Sequence, residues 1–475
     1  MDKKKILILI LLAASILRFY GLGRGDTVND EVYYGFRGYG MLDFDEGKYQ
    51  TTPLEWFNPQ IPWWTRLSFH DHPPLVFLIE HYSMEVFGDN TVAMRLPSAI
   101  LGVLSVYLLY LIGKKLYSSK AGLLAAAFMA VTLNNIYISR VGMQESYVIF
   151  FVLLSFYYFL KSLEKITSPH FSKCGDKYFI WTGIFLGLGF LAKYNVFILV
   201  PIFLVYLGLS RRDVFKNKKF WRGVVLSIVI FSPVIIYNLE LYKAVGHFDF
   251  QISYILKQPH SEWQVEPGKD IGSLADRFRD FLPRIINSNS WVFLTLGGLA
   301  LVSFLFSLFQ KTKESAKKHQ FLLIVFSFLF LLIMAVGPAY RFLTIFTPFL
   351  ALVLAVFLEA VRLKFFKNKR VMVFYIVCGL IFAFEIFYSV NNQIIYYPHG
   401  PSPWLSSKVR YENYNWGYNN LDEYLGREFA GQMPLLTFDV RYQFLENLRA
   451  KALQDEMSQG LAKTPFLIVD GGNFD

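Results

Sequence analysis

An α-helical integral membrane protein with about eleven transmembrane helices is predicted by three observations. Only 17% of the 475 residues are charged and 54% are hydrophobic, against about a quarter charged in a soluble domain. Apolar runs recur along the chain, most of them approaching the roughly 20 residues that span a bilayer core of about 30 Å. Lysines and arginines gather in alternate gaps between those runs, as cytoplasmic loops do.

In chain order, the run after Lys3-Lys4-Lys5 lacks a small-x-small cleavage site and reads as an uncleaved first span over 5–23. The next spans are expected at 94–117, 120–137, 143–161, 178–193, 195–210, 220–241, 291–310, 320–337, 340–361 and 371–390. With the N-terminus inside, segments 1–5, 114–120, 161–177, 211–219, 311–319 and 362–370 are cytoplasmic and together hold 24 lysines and arginines. The three short outer connections hold Arg140, Lys193 and Arg341 alone. That asymmetry sets the orientation.

Two long outer stretches remain, 24–93 and 242–290. The first is rich in Trp, Tyr, Pro and Gly. Within it, Leu75 to Phe87 reads as an interfacial amphipathic helix, with Trp63 and Trp64 as membrane anchors. Eleven spans leave the C-terminus outside. The division is a membrane domain over 1–390 and a small extracytoplasmic α/β segment over 391–475. In that segment a helix is expected from Leu421 to Phe429, a strand at 435–438, a helix at 441–457 and a strand at 465–469. The pattern stops just after its last strand and reads as incomplete.

Charge and cysteine usage exclude other classes. The net charge of +11 is spread over loops facing anionic lipid rather than over one soluble patch, so no nucleic acid partner is expected. Cys174 falls in a cytoplasmic loop and Cys378 inside a span, so no disulfide is expected between them. The chain reads as a multi-pass protein of the cell membrane.

The outer face carries few charges, which makes each one informative. Asp30-Glu31 follows the first span. It is either a solvated turn or a general base taking the proton of an attacking hydroxyl. Its second acid would orient the first, hold a sugar hydroxyl or ligate a divalent cation. His70-Asp71-His72, before Pro73-Pro74, is either a candidate set of metal ligands or a proline-fixed loop entering the interfacial helix. Arg140 and Glu145 flank the fourth span. An acid so near hydrocarbon needs a partner, which is Arg140, or a polar cavity. Lys193 and Arg341 are lone cations at span ends, placed to snorkel to headgroups or to hold a phosphate. Glu385 is a further acid, within the last span.

The order of several motifs resembles a known family. They are Asp30-Glu31, His72-Pro73-Pro74-Leu75, Phe87-Gly88 leading to Arg95-Leu96-Pro97-Ser98, Ser139-Arg140-Val141-Gly142-Met143-Gln144-Glu145, Gly187 to Lys193, and Tyr340-Arg341-Phe342 running to Pro348. Together they resemble the GT-C glycosyltransferases of the protein mannosyltransferase and lipid A aminoarabinose transferase type, over most of the chain to about residue 360. Such enzymes pass a sugar from a polyprenyl-phosphate carrier to an acceptor on the outer face, with inversion.

The resemblance implies Asp30 as the base, Glu31 as its neighbour in the acidic motif, and Glu145 where the family usually has an Asp. It implies His72 in the same cavity, and Tyr340 and Arg341, with Lys193 and Arg140, toward the carrier phosphate. The expected partners are a polyprenyl-phosphate-sugar donor, membrane lipids and a lipid, glycan or protein acceptor. No cofactor is required, and a divalent cation is allowed for by His70, Asp71 and His72. A transporter or flippase of lipid-linked sugars would fit the lipid contacts. However, inverted repeats and helices broken at the midplane, which transporters commonly show, are not evident in the sequence. An inactive scaffold of the same fold is the remaining alternative.

Overall fold

Helix ends in this chain are set by local chemistry that the sequence displays. Asp2, Asn90, Ser118, Asn217, Asp249 and Ser273 each accept a backbone N–H at a helix start. The computed structural model describes residues 2–27, 30–39, 49, 61–164, 177–258, 272–308, 313–366, 370–395, 399–409, 417–428, 454 and 458. Among the described residues all regular structure is helical.

The first part of the chain supplies α1 (Lys3–Phe19), α2 (Asp30–Tyr39), α3 (Leu75–Phe87), α4 (Thr91–Leu116), α5 (Ser119–Val131), α6 (Leu133–Ser139), α7 (Gln144–Glu164), α8 (Lys177–Ala192) and α9 (Leu199–Ser210). There follow α10 (Lys218–Val245), α11 (Phe250–Leu256), α12 (Leu274–Ser288), α13 (Trp291–Leu308), α14 (Lys313–Val336), α15 (Tyr340–Leu343), α16 (Thr347–Phe365), α17 (Val371–Gln393) and α18 (Tyr418–Glu428).

Among the described residues six helical stretches are long and apolar enough to cross a membrane: α4, α7, α10, most of α14, the run from α15 through α16, and α17. The pair α5–α6 makes a seventh if it counts as one span. The other expected runs fall on the shorter helices α1, α8, α9 and α13.

Three elements differ from expectation. The run expected over 120–137 bends by 64° between α5 and α6. Thr132 takes an extended conformation there, and its hydroxyl donates to Phe128 O at 2.6 Å. The carbonyls of the break are satisfied from other helices. Arg18 donates to Met129 O at 3.2 Å and to Ala130 O at 3.0 Å, and Ser389 donates to Val131 O at 2.6 Å. An irregular backbone at membrane depth persists only when buried in protein and so supplied.

Asp30 opens a ten-residue helix rather than lying in a loop. Trp64, expected as a lipid anchor, is buried against Tyr49 and Tyr237 at ring distances of 5.6 Å, whereas Trp63 is exposed. The interfacial helix over Leu75–Phe87 is present as α3.

The bundle is held by close packing. α8 lies along both α7 and α10. Phe156 stacks on Phe321 with centroids 4.9 Å apart, and Phe159 stacks on Phe203 at 3.9 Å. Beyond α17, Tyr388 donates to Ser406 O at 3.0 Å and Asn391 donates to Leu405 O at 2.8 Å, tying residues 399–409 to the membrane helices. The expected helix of the tail is α18. The expected strands at 435–438 and 465–469, almost all of the helix at 441–457, and Cys174 lie outside the described residues.

Candidate active site

Four breaks in regular structure meet at one end of the bundle. The chain enters α2 at Asp30, carries Glu145 in the first turn of α7, leaves α8 at Lys193 and carries Arg341 in the first turn of α15. Gly337, with φ +88°, and Pro338 stop α14 and turn the chain into α15, as a residue free to take positive φ and one lacking an N–H would. Lys193 closes α8 with its N–H on Gly189 O at 3.0 Å and then runs extended into the 3-10 turn Tyr194–Ile198. Glu145 lies in the first turn of α7, where the helix dipole favours an anion.

The side chains of these four residues form one network. Arg341 donates through Nη1 to Asp30 Oδ2, and Lys193 donates through Nζ to Glu145 Oε1. Arg341 Nε also lies 4.0 Å from Glu145 Oε1, which joins the two ion pairs. Phe342 lies between the cations, with Lys193 Nζ 5.0 Å and Arg341 Cζ 4.9 Å from its ring centroid. Both distances suit cation–π attraction.

Glu145 and Lys193 are buried, while Asp30 and Arg341 are part-exposed. Beneath them is a cavity of about 10 Å³ lined by Glu145, Asn195, Leu332, Arg341, Phe342 and Thr344, enough for about one water. Burial pushes the Asp30 carboxyl up. The charge and hydrogen bond of Arg341, with Lys193 and His72, outweigh burial and hold it below the usual aspartate value.

His72 stands next to this network through Tyr34. Its Nε2 is 3.3 Å from the Tyr34 hydroxyl, and its Nδ1 is 2.7 Å from Asp71 Oδ2. Asp71 also accepts from Arg37, whose guanidinium lies 4.9 Å from the Phe69 ring centroid and 5.0 Å from that of Phe77. Burial acts to raise the Asp71 carboxyl, but Arg37 and His72 together hold it far below the usual range.

His70 turns elsewhere, its ring edge-on to His247 at 5.5 Å. His70, Asp71 and His72 are therefore not gathered into one set of ligands. Asp71 is engaged by Arg37 and His72, and no three His, Cys, Asp or Glu among the described residues are grouped to hold a metal ion.

Other expected site residues are built into the scaffold. Glu31 is fully buried, accepting from Arg95 Nε at 2.6 Å, Arg95 Nη2 at 2.7 Å and the Gly142 N–H at 2.6 Å. Arg140 does not pair with Glu145 and does not reach the Asp30 network. It donates to Leu17, Arg18, Tyr20 and Gly21 carbonyls at 2.9 to 3.2 Å, closing the C-terminal end of α1. Tyr340 is part-buried against the main core beside Arg341. Glu385 accepts from Ser290 and is fully buried.

Tyr34, Arg37 and Phe342 are constituents of the site that sequence reasoning did not assign. Phe342 lies inside the Tyr340-Arg341-Phe342 motif, and Tyr34 lies one helical turn after Asp30-Glu31. Arg37 had no signal beyond its position one helical turn after Tyr34.

Comparisons with known proteins bear on the fold and on the family resemblance. Residues 71–237 match the family model described as dolichyl-phosphate-mannose-protein mannosyltransferase. A putative mannosyltransferase YkcB of Bacillus subtilis is 27% identical over 232 residues, which are 46% of this chain and 29% of that relative. The matched region is thus under a third of that relative's length.

The fold is similar to the oligosaccharyltransferase of Archaeoglobus fulgidus, with a TM-score of 0.54 and 16% identity, covering 84% of this chain and 54% of that one. It is similar too to ArnT of Cupriavidus metallidurans, solved bound to undecaprenyl phosphate. There the TM-score is 0.54 at 16% identity, over 81% of this chain and 68% of that chain. The resemblance to GT-C glycosyltransferases drawn from the motif order holds, and the chain has their membrane fold.

Proposed function

We propose that the chain is a membrane glycosyltransferase that moves a sugar from a polyprenyl-phosphate donor to an acceptor hydroxyl on the extracytoplasmic face, with inversion. The observation that carries this reading is the Asp30–Arg341–Glu145–Lys193 network. It places a part-exposed carboxylate and two cations together at one end of the bundle. The likeness to a fold solved with undecaprenyl phosphate supports the donor class. In this reading all eleven apolar runs cross the bilayer, the N-terminus is cytoplasmic and residues 391–475 are outside.

The reaction is a single displacement. Asp30 takes the proton from the acceptor hydroxyl as its oxygen attacks the anomeric carbon, and the bond from that carbon to the phosphate oxygen breaks. Polyprenyl phosphate leaves with the bonding electrons. Arg341 and Lys193 stabilise the negative charge that develops on it. Arg341 has five N–H donors, so it serves the phosphate with those not turned to Asp30. Glu145 holds Lys193 and lies close to Arg341, setting their spacing. Its longer arm, compared with an Asp, suits this positioning role.

Glu31 acts through Arg95 and Gly142 to hold the start of α2 rather than by touching substrate. His72 and Tyr34 form the adjoining wall. Arg140 braces α1, and no step is assigned to it.

The test is transfer of radiolabelled sugar from a synthetic polyprenyl-phosphate donor into membrane acceptors by the full chain. Asp30→Asn is expected to lower transfer by about a hundredfold or more, the contribution of a general base. Transfer near the wild-type rate in that variant would remove Asp30 as the base.

A further inference from the structure

The turn that leads into Asp30 is bound to a helix almost four hundred residues away. Asp26 is fully buried, and its carboxylate accepts three backbone N–H groups at the start of α18. These come from Gly417 at 2.9 Å, Tyr418 at 3.2 Å and Asn419 at 3.0 Å. The Asn419 side chain returns a bond to Arg24 O at 3.4 Å. Asp26 thus does the work of an N-cap from a distant part of the chain. Its negative charge lies on the positive end of the helix dipole.

The backbone of the same turn is clasped by Arg95. Its guanidinium donates to Leu22 O at 2.9 Å, Gly25 O at 3.0 Å and Asp26 O at 3.0 Å while also holding the Glu31 carboxylate. A continuous hydrogen-bonded path therefore runs from α18 through Asp26 and Arg95 to Glu31, the residue next to Asp30. Every member of the path between α18 and Asp30 is buried, where such bonds are less screened and their loss costs more than at a surface.

We propose that Asp26 is a positioning residue for the transfer reaction, and that the C-terminal helix α18 acts on the catalytic carboxylate through it. The inference rests on the reading of Asp30 as the base. The cap holds the turn at 24–27 against Arg95 and so sets where α2 begins and where Asp30 points toward Arg341. Misplacement of a reacting group by about 1 Å costs about a hundredfold in rate, so a small slackening of the turn is enough to be seen.

The experiment breaks the contact from each side in the full chain. Asp26→Ala removes the acceptor, and Asp26→Asn keeps a side-chain oxygen but loses the charge. Asn419→Pro deletes one of the three N–H donors in the first helical turn, where proline is otherwise tolerated, together with the side-chain bond to Arg24 O, and changes no residue of the turn at 24–27. Two readouts are taken: amide hydrogen exchange over residues 30–39, and kcat for sugar transfer at saturating donor.

The proposal expects Asp26→Ala and Asn419→Pro each to speed exchange in 30–39 and to lower kcat by about tenfold. It expects Asp26→Asn to recover most of that loss, and the double variant Asp26→Ala/Asn419→Pro to be no worse than Asp26→Ala. Unchanged exchange in 30–39 for Asn419→Pro, or effects of the two substitutions that multiply, would overturn it. If Asp26→Ala does not yield folded protein, the exchange and kcat of Asn419→Pro decide the matter alone. The exchange readout does not depend on the chemistry, so it separates failure of this link from failure of the Asp30 assignment.

Discussion

Asp30 and Glu31 are neighbours in sequence with opposite fates, and the difference is electrostatic. Glu31 is fully buried with both oxygens taken by Arg95 and one also by the Gly142 N–H, so it is spent on the fold. Asp30 is part-exposed, on a cation that also lies close to Glu145. Arg95, Arg140 and Arg18 make the same point for the cations, since each closes loop or helix carbonyls rather than facing a substrate. Sequence alone could place all of these residues but not sort them, because a buried partner is a tertiary fact. The Asp30–Arg341 pair yields a prediction on pH. A base must be ionised, and Arg341 holds the Asp30 carboxyl below its usual value, so wild-type activity is lost only as pH falls through that lowered value. Arg341→Gln removes both contributions of Arg341 and leaves burial, which pushes the carboxyl up. The acid limb of the residual kcat/KM profile is therefore expected to move to higher pH. An acid limb unmoved by the substitution would separate Arg341 from Asp30.

At the scale of elements, small residues decide which helices touch. A Cβ on Gly183 of α8 would lie 2.0 Å from Gly223 O of α10, and one on Gly223 would lie 2.3 Å from Phe179 O. Both obstacles are backbone, which has no rotamer to change. This approach seats α8, and the end of α8 delivers Lys193. Gly183→Ala is expected to cost about 1–3 kcal/mol, as overpacking does, seen as a lower midpoint in thermal unfolding of the detergent-solubilised protein. Transfer activity should fall more steeply than stability, because Lys193 moves with the helix end. Equal stability in the variant would mean that the helices can part without loss. The bend between α5 and α6 shows where periodicity fails as a guide. The stretch 120–137 is mostly apolar on both sides of Thr132, with Asn134 and Asn135 its other polar interruptions, so the sequence pattern reads one span. The break exists because Arg18 and Ser389 reach the three carbonyls it frees.

For the whole molecule, the proposed topology puts the site and the C-terminal segment on the same outer face. α18 rests on the turn before Asp30, and residues 399–409 rest on α17, so the described parts of the tail are docked onto the membrane helices. In a background with Cys174 and Cys378 replaced by Ser, Tyr424→Cys on α18 is expected to react with a membrane-impermeant thiol reagent added outside intact cells. Arg212→Cys is expected to react only after the membrane is opened. Tyr424 is exposed on its helix, so protection of that position in intact cells would overturn the orientation.

The sequence by itself determined the class of the protein, where most of the long apolar helices run and the set of charges from which the candidate site is drawn. Apolar run length, lysine and arginine counts and the order of short motifs are local properties, and they survive without knowledge of partners. The tertiary structure alone decided which charges face one another. It paired Lys193 with Glu145 and Arg341 with Asp30, withdrew Glu31, Arg95 and Arg140 into the scaffold, and brought α18 onto Asp26. The reason is physical: a charge near hydrocarbon must find a counter-charge or a set of carbonyls. Which one it finds depends on residues up to several hundred positions away, which only the packed helices bring within reach.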